Sequence, residues 1–191
     1  MDDPEASLQP LPEGEQRRVL DFWFRELTPD HWFGAGSALD PLVRKRFAEL
    51  HEQASEGALD AWAQTPLGRL ALIIVLDQFS RHIHRDTARA FANDARAQHW
   101  TTRGIAAGMD EQLSFAQRHF FYMPLMHAED PSLQAQSMEC FAGLREFAES
   151  LLSFARTHRD EIAAHGRFPY RNAALGRENT EAERRFLEER D

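Results

Sequence analysis

The strongest constraint on the fold is an apolar run in the middle of the chain, Leu70–Leu76, inside the stretch TPLGRLALIIVLDQFSRHIHR that extends from Thr65 to Arg85. A helix that is apolar on every side is a buried helix, so the rest of the chain has to pack around this run. Polar and charged residues flank it: Arg69 before it, and Asp77, Gln78 and Arg81 after it. A buried charge without a partner is costly. The sequence therefore predicts a buried central helix with a polar site at its ends.

Composition narrows the class of protein. Of the 191 residues, 42% are hydrophobic and 28% are charged, as in globular proteins. We expect a flexible acidic arm over residues 1–14 and a single all-helical domain over residues 15–191. The formal net charge of −9 disfavours binding to nucleic acids and to anionic membranes, because both attract basic surfaces.

The sequence also indicates a compartment. The N-terminal segment MDDPEASLQPLPEGEQ lacks the apolar region of a signal peptide, and no apolar run reaches the ~20 residues of a membrane span. The single cysteine, Cys140, cannot form an internal disulfide, which is typical of a reducing environment. We therefore expect a soluble cytoplasmic protein.

Apolar residues recur at three- and four-residue spacing along most of the chain, whereas no convincing alternation indicates a strand. Three helices are predicted to begin where a capping residue precedes a proline, at Asp40-Pro41, Thr65-Pro66 and Asp130-Pro131. The expected fold is all-α: a multi-helix antiparallel bundle or an α-α superhelix similar to tetratricopeptide-like folds. Its repeats would be degenerate, because no clean period of about 34 residues is found.

Other helix boundaries follow from local signals. Thr28-Pro29 predicts the end of the first helix, and the following segment HWFGAGS is predicted to be a loop that places Trp32 and Phe33 against the core. Asp110 is the expected cap of a helix that ends or kinks at Pro124.

The C-terminal part of the chain predicts two further helices. From Asp130-Pro131 the helical pattern continues to His165, and this unusual length predicts a break between Gly143 and Ser150. Thr180 and Glu183 have the spacing of a capping box, which predicts a last short helix.

Three polar segments next to apolar ones are candidate sites. In the first, Asp77 and Arg81 are four residues apart; they either form an intrahelical ion pair or orient an arginine toward a ligand. The second, RHFFYMPLMHAEDP, is a pocket or an ordinary loop at the proline. The third, HRDEIAAHGRFPYRNAALGR, mixes basic and aromatic residues, which either bind a planar anionic group or tie a loop to a carboxylate. The candidate ligand-binding residues are Arg69, Asp77, Gln78, Arg81, Tyr122, His127, Glu129, His158, Arg167, Arg171 and Asn172.

Metal and nucleophile templates match poorly. His82-x-His84 is only a pair, and the sequence contains no H-E-x-x-H motif, phosphate loop, dinucleotide fingerprint or nucleophile elbow. We therefore expect no metal site and no cofactor, and we assign no catalytic residue.

Five segments carry a resemblance that covers nearly the whole chain after the arm: DFWF from Asp21, TPLGRLALIIVLDQFSR from Thr65, ARAFA from Ala88, HFFYMPLMHAED from His119 and HRDEIAAHGRFPYRNAALGR from His158. Together they resemble a bacterial family of unknown function, catalogued as domain of unknown function 924. The resemblance implies an all-helical fold similar to tetratricopeptide-like proteins. Between Cys140 and Phe154, where we expect a looser turn in a member of the family, this sequence instead continues in helical register. The resemblance implies no established activity, cofactor or catalytic residue.

Three functions remain open. The first is a binding module whose arginines form a pocket for a small anionic ligand or an acidic peptide. The alternative is a structural or protein-interaction protein, in which the polar clusters are internal salt-bridge networks and a face that includes Trp32 and Phe33 contacts a partner. The third is a hydrolase-like or lyase-like enzyme in which His127 or His158 works with a carboxylate.

Overall fold

The computed structural model describes residues 13–34 and 36–189. All regular secondary structure in these ranges is helical, and no β-strand occurs in them, which confirms the all-α class. Residues 1–12 of the predicted arm lie outside the described part of the chain, and Gly14 begins the first helix. The tetratricopeptide-like arrangement stays a prediction.

The helices in chain order are α1 (Gly14–Asp21), α2 (Pro29–Phe33), α3 (Asp40–Ser55), α4 (Pro66–Ile74), α5 (Ser80–Ile83), α6 (Asp94–Ala106), α7 (Phe115–Met126), α8 (Pro131–His165) and α9 (Glu181–Glu188). The π-helical segments Phe22–Glu26 and Val75–Phe79 follow α1 and α4 directly, and short 3-10 turns cover Gly36–Leu39, Asp60–Gln64, Ala88–Phe91, Asp110–Gln112 and Pro169–Arg171. Within the described ranges, none of these helices has the length and apolar character needed to cross a membrane.

The chain divides into two compact units, residues 1–141 and residues 142–191. The expectation of a single domain stays a prediction. In the first unit, α4 and the π-helical segment after it contact α1, α3, α6 and α7. All residues from Leu70 to Leu76 are fully buried, which confirms the predicted central helix. Thr65 caps α4 as predicted, since its hydroxyl accepts the N–H of Gly68 at 3.2 Å.

Aromatic side chains fill the rest of this core. The ring centroids of Phe47 and Phe79 lie 4.6 Å apart, and Trp23 meets Phe120 edge-on at 5.3 Å. Such pairs contribute about 0.5–1.5 kcal/mol each beyond the area they bury. The end of the central helix is therefore held in a rigid aromatic environment, and this fixes where its polar residues lie.

The first unit corrects the prediction at Thr28-Pro29. The proline does not only end the preceding helix; it is the first residue of α2, where its missing N–H is harmless. Within α2, Trp32 packs against Phe120 at a ring distance of 4.9 Å, as expected, but Phe33 remains 66% exposed. Of the rest of the predicted loop, Gly34 caps the C-terminus of α2, residues 36 and 37 begin a 3-10 turn, and residue 35 lies outside the described residues.

The predictions around α7 need a second correction. Ser114, not Asp110, caps this helix: its hydroxyl accepts the N–H of Gln117, whose side-chain oxygen accepts the N–H of Ser114. This capping box satisfies two helix-end donors at once and so prevails over a single acidic cap. Pro124 lies inside α7, which continues to Met126.

The second unit contains the C-terminal part of α8 together with α9. The predicted break between Gly143 and Ser150 is wrong, because residues 142–165 are continuously helical. Most residues of this segment are good helix formers, and Arg145 pairs with Glu149 one turn later at 3.5 Å. The capping box that begins α9 is confirmed: the Thr180 hydroxyl accepts the N–H of Glu183 at 3.2 Å.

Candidate functional site

The buried carboxylate of Asp77 organises the polar site at the end of the central helix. Its side chain is 1% exposed and lies in the π-helical segment Val75–Phe79, a type of helix distortion that is frequent at functional sites. Oδ1 lies 3.0 Å from Nη1 of Arg81 and 2.8 Å from Nδ1 of His127. Oδ2 accepts a 2.5 Å hydrogen bond from Nε2 of Gln78. The predicted Asp77–Arg81 pair is therefore confirmed, and a histidine joins it.

Arg81 is shared between two carboxylates. Its Nη1 and Nη2 donate to the two oxygens of Asp94, each at 3.0 Å, and Nη1 also donates to the backbone oxygen of Asp77 at 2.8 Å. The guanidinium lies 5.5 Å from the ring centroid of Phe91. Both terminal nitrogens of Arg81 are thus engaged, and its positive charge is balanced within the protein.

His127 follows α7 directly and presents one ring nitrogen to Asp77. A carboxylate only accepts hydrogen bonds, so the 2.8 Å contact requires a proton on Nδ1, and in the neutral ring the lone pair is then on Nε2. In the described part of the chain, no protein group hydrogen-bonds this Nε2. A buried aspartate that orients a histidine is the arrangement that prepares an imidazole to accept a proton.

A cleft of about 730 Å³ opens beside this pair. The described residues that line it are Arg81, Phe91, Asp94, Ala95, Gln98, His127, Glu129 and Asp130. Phe91 is 60% exposed and supplies an apolar face. In this lining, three carboxylates stand against a single guanidinium that is already paired, so the charge of the cleft is negative.

Asp130 has a structural task at the edge of the cleft. It accepts hydrogen bonds from the Ser132 hydroxyl at 2.5 Å and from the N–H groups of Ser132 and Leu133 at 2.8 and 3.1 Å. These hydrogen bonds hold the pKa of the Asp130 carboxyl below its usual value, and the bond from the Ser132 side chain has the largest effect. Asp130 therefore caps α8, as predicted. Glu129, which also lines the cleft, makes no capping bond of this kind in the described part of the chain.

Two of the predicted site residues in the first unit lie away from the cleft lining. Arg69 is buried; it donates to the backbone oxygen of Ala63 at 2.9 and 2.6 Å and to that of Trp100 at 3.2 Å. Burial lowers its pKa. The hydroxyl of Tyr122 donates to Asp110 at 2.6 Å, and burial raises the pKa of Tyr122. Both side chains join neighbouring segments of the scaffold.

The predicted residues of the second unit form a separate group. Arg167 donates to both carboxylate oxygens of Glu183, at 2.6 and 2.8 Å. Asn172 is fully buried and donates to the side-chain oxygen of Asn179 at 2.6 Å. The rings of His158 and Phe168 meet at 5.5 Å, and the guanidinium of Arg171 lies 4.4 Å from the Phe168 ring. The Arg167–Glu183 pair therefore ties the loop before α9 to that helix, and the His158–Phe168 contact ties the same loop to α8.

The structure thus brings together Asp77, Gln78, Arg81, His127 and Glu129 out of the predicted set. The sequence reasoning missed Phe91, Asp94 and Gln98. Asp94 begins α6 within ARAFANDARAQ, and an acidic residue in a first helical turn is too common to indicate that it meets Arg81 thirteen residues earlier.

Comparisons with known proteins agree with the resemblance noted in the sequence. The family model described as "Bacterial protein of unknown function (DUF924)" matches residues 19–191. A solved structure of a protein of unknown function from Agrobacterium tumefaciens is 36% identical, with a TM-score of 0.62; the match covers 92% of this chain and 97% of that one. No curated protein matches the chain significantly. The chain therefore belongs to the bacterial family DUF924.

Proposed function

We propose that the protein binds a small molecule in the cleft at His127 and that Nε2 of His127 exchanges a proton with this ligand. One observation carries the proposal: the buried carboxylate of Asp77 holds Nδ1 of His127 at 2.8 Å, while Nε2 belongs to a ring that lines a cleft of about 730 Å³. Clefts of this size accommodate small-molecule ligands.

The charges of the cleft favour a ligand with a hydrogen-bond donor or a positive charge. Asp94, Glu129 and Asp130 contribute three carboxylates, and the one guanidinium is shared between Asp77 and Asp94. The exposed ring of Phe91 suits an apolar part of the ligand or a cation that lies over its face. This favours an amine, an amidine or an amide over the anionic ligand expected from the arginine content.

The contacts of the other arginines support the alternative expectation for their clusters. Arg69 bonds backbone oxygens and Arg167 bonds Glu183, which are internal ties within the fold. For these two clusters the salt-bridge and scaffold interpretation is the better supported one, whereas the cleft at His127 keeps an acceptor free for a ligand.

Proton transfer, rather than acyl transfer, is the chemistry that these side chains support. His127 would accept a proton from a ligand N–H or O–H, and Asp77 would stabilise the resulting imidazolium. Where a reaction follows, proton transfer to a positioned side chain accelerates it about 10²–10⁴-fold. No serine, threonine, cysteine or lysine occurs among the described lining residues, so the cleft supplies no side-chain nucleophile of these types. A lyase-like step therefore fits better than a hydrolase with a covalent intermediate.

The test is a ligand screen with a readout on the histidine itself. Amines, amidines, amides, carboxylates and phosphates are added to the 15N-histidine-labelled protein, and the ring nitrogens are followed by NMR. We expect cationic or amide compounds to shift Nε2 of His127, and His127→Gln and Asp77→Asn to weaken their binding. His99→Gln is the control, because His99 is exposed on α6.

Two results contradict the proposal. In the first, no compound shifts the His127 resonances of the folded protein. In the second, only carboxylates or phosphates bind, and their affinity is unchanged in His127→Gln; this would favour an anion site elsewhere in the chain.

A further inference from the structure

A second cluster of ligating side chains lies on α3 and just after α5. His51 and Glu52 are consecutive residues of α3, and His84 follows the last turn of α5. One donor atom of each side chain lies within 4.8 Å of those of the other two. These residues do not line the cleft at His127, so this cluster is independent of the proposed function.

The hydrogen bonds of His51 determine which of its nitrogens is free. Nε2 lies 2.7 Å from Oγ of Ser80, whose own proton is donated to the backbone oxygen of Leu76 at 2.6 Å. Oγ must therefore accept from Nε2–H, which leaves the lone pair on Nδ1. The amide nitrogen of Asn93 also lies 3.3 Å from Nε2, but it makes its shorter bond, of 2.9 Å, as a donor to Oγ of Ser55. That Nδ1 is buried and has no hydrogen-bond partner in the described structure, and His51 as a whole is only 2% exposed.

His84 has an unpaired ring nitrogen as well. Its Nε2 is also buried without a hydrogen-bond partner among residues 13–34 and 36–189, and its ring centroid lies 5.2 Å from that of His51. A buried polar atom left unpaired is costly, because it has lost its hydrogen bonds to water. Because His51 and His84 belong to one cluster, their two unpaired ring nitrogens indicate a missing group that binds nitrogen lone pairs.

A proton is a poor candidate for that partner. The guanidinium of Arg89 adds positive charge nearby and pairs with Glu52 at 3.0 Å. A metal ion, which binds the lone pairs of imidazole nitrogens, is the better candidate.

We propose that Nδ1 of His51, Nε2 of His84 and a carboxylate oxygen of Glu52 bind a divalent transition-metal ion of the zinc class. Two imidazoles and one carboxylate, with a fourth position for water, form a common tetrahedral zinc set. Ca²⁺ and Mg²⁺ prefer oxygen ligands and fit less well. The contact of His51 with Ser80 is the kind of outer-shell bond that orients a metal-bound histidine.

The ligand atoms need only a small closure to reach bonding geometry. Bonds of 2.0–2.1 Å in a tetrahedral site place ligand atoms about 3.3 Å apart. The Glu52 side chain is free to move toward the two rings, since it is 53% exposed and its ion pair is with the exposed Arg89. This set could not be predicted from the sequence, because His51 and His84 are thirty-three residues apart. His82, the histidine nearest to His84 in sequence, bonds Asp40 at 2.8 Å.

The experiment is a Co²⁺ titration of the chelator-treated full-length protein, read from visible absorption, followed by displacement with Zn²⁺. We expect one equivalent of Co²⁺ to give the intense bands of a tetrahedral site and Zn²⁺ to remove them. His84→Gln and Glu52→Gln should each weaken binding about tenfold or more. Glu49→Gln and His99→Gln are the matched controls, since both side chains are exposed.

Glu52→Gln keeps the proposal testable even if His84→Gln impairs folding, because Glu52 lies at the surface. The proposal is overturned if Co²⁺ produces no tetrahedral bands. It is also overturned if folded His84→Gln and Glu52→Gln bind Co²⁺ as tightly as the wild type, since the ion would then occupy other groups.

Discussion

Gly104 on α6 lies directly against the ring of Phe121 on α7, and a Cβ atom at Gly104 would overlap Cζ of Phe121 and lie 2.9 Å from Cδ of Arg69. One residue pair therefore sets how closely these two helices approach. A hydrogen bond of 3.0 Å from Oγ1 of Thr101 to the backbone oxygen of Phe121 also joins α6 to α7. Since Phe121 is fully buried, its ring has little room to move aside.

Gly104→Ala is expected to reduce the free energy of unfolding by about 1–3 kcal/mol, because an added methyl group in a packed interface forces backbone or side-chain shifts. Gly143→Ala is the matched control: Gly143 also lies inside a helix, but a Cβ there would meet nothing within 4 Å. That change should stabilise by roughly 0.5–1 kcal/mol through helix propensity. Urea unfolding measures both. Equal effects at the two positions would show that helix packing at Gly104 is looser than the structure indicates.

Features that depend on neighbouring residues could be predicted from the sequence, and the central helix is the clearest case. The central helix was predictable, because the apolar run Leu70–Leu76 has only one stable location, and Thr65-Pro66 marks its start. Such signals are local: they depend on residues within one or two turns.

The candidate sites depend on pairs that are distant in sequence. The histidine on Asp77 comes fifty residues later, and Asp94 reaches Arg81 from another helix. No spacing rule covers such pairs, because tertiary packing alone determines which helix faces are adjacent. For the same reason Arg69 was expected at a ligand, although it bonds the backbone oxygen of Ala63.

Arg69→Lys tests whether this arginine is part of the scaffold. A lysine cannot make the forked contact to Ala63 and also reach Trp100, so buried backbone oxygens would lose their donors. We expect a loss of about 1–3 kcal/mol in the free energy of unfolding, measured with urea. Ligand binding at His127 should be unchanged in the folded variant. A variant of wild-type stability that no longer binds the ligand would instead assign Arg69 to the site.

His119 is expected to make stability depend on pH. Its ring contacts Phe33, Phe120 and Phe141, and its Nε2 is buried without a hydrogen-bond partner in the described residues. Burial lowers its pKa below the ordinary 6.5. The unfolded chain therefore binds more protons than the folded one below pH 6.5, so the free energy of unfolding falls as the pH falls toward the folded pKa.

His119→Phe should flatten this part of the pH profile and raise stability near pH 7 by about 1 kcal/mol, because it removes an unpaired polar atom from an aromatic site. Urea unfolding at several pH values between 5 and 8 measures both effects, and part of the slope should persist, since the pKa values of His51 and His84 are lowered too. If the variant keeps the full wild-type slope, His119 does not contribute to it.

Arg167 is expected to hold α9 in place within the second unit. It pairs with both oxygens of Glu183 and donates to the backbone oxygen of Glu178 at 2.9 Å. Arg167→Ala should therefore increase the amide exchange of α9 selectively. Arg185→Ala is the control, since Arg185 is exposed and pairs with the exposed Glu181 on the same helix. If the amides of α9 exchange equally fast in the two variants, Arg167 does not hold this helix in place.

Cys140 is expected to be unreactive in the folded protein. Burial, with the nearby carboxylates of Asp110 and Glu139, raises the pKa of its thiol to about 11. Because the thiolate is the reactive form, only about one molecule in a thousand would carry it at pH 8. A disulfide reagent such as Ellman's should label the native protein far more slowly than the urea-unfolded chain, where the pKa returns to its ordinary value. Asp110→Asn removes one of the two carboxylates and should speed native labelling modestly, provided that its stability is unchanged. Labelling of the native wild type as fast as in urea would show that the thiol is accessible and ionised.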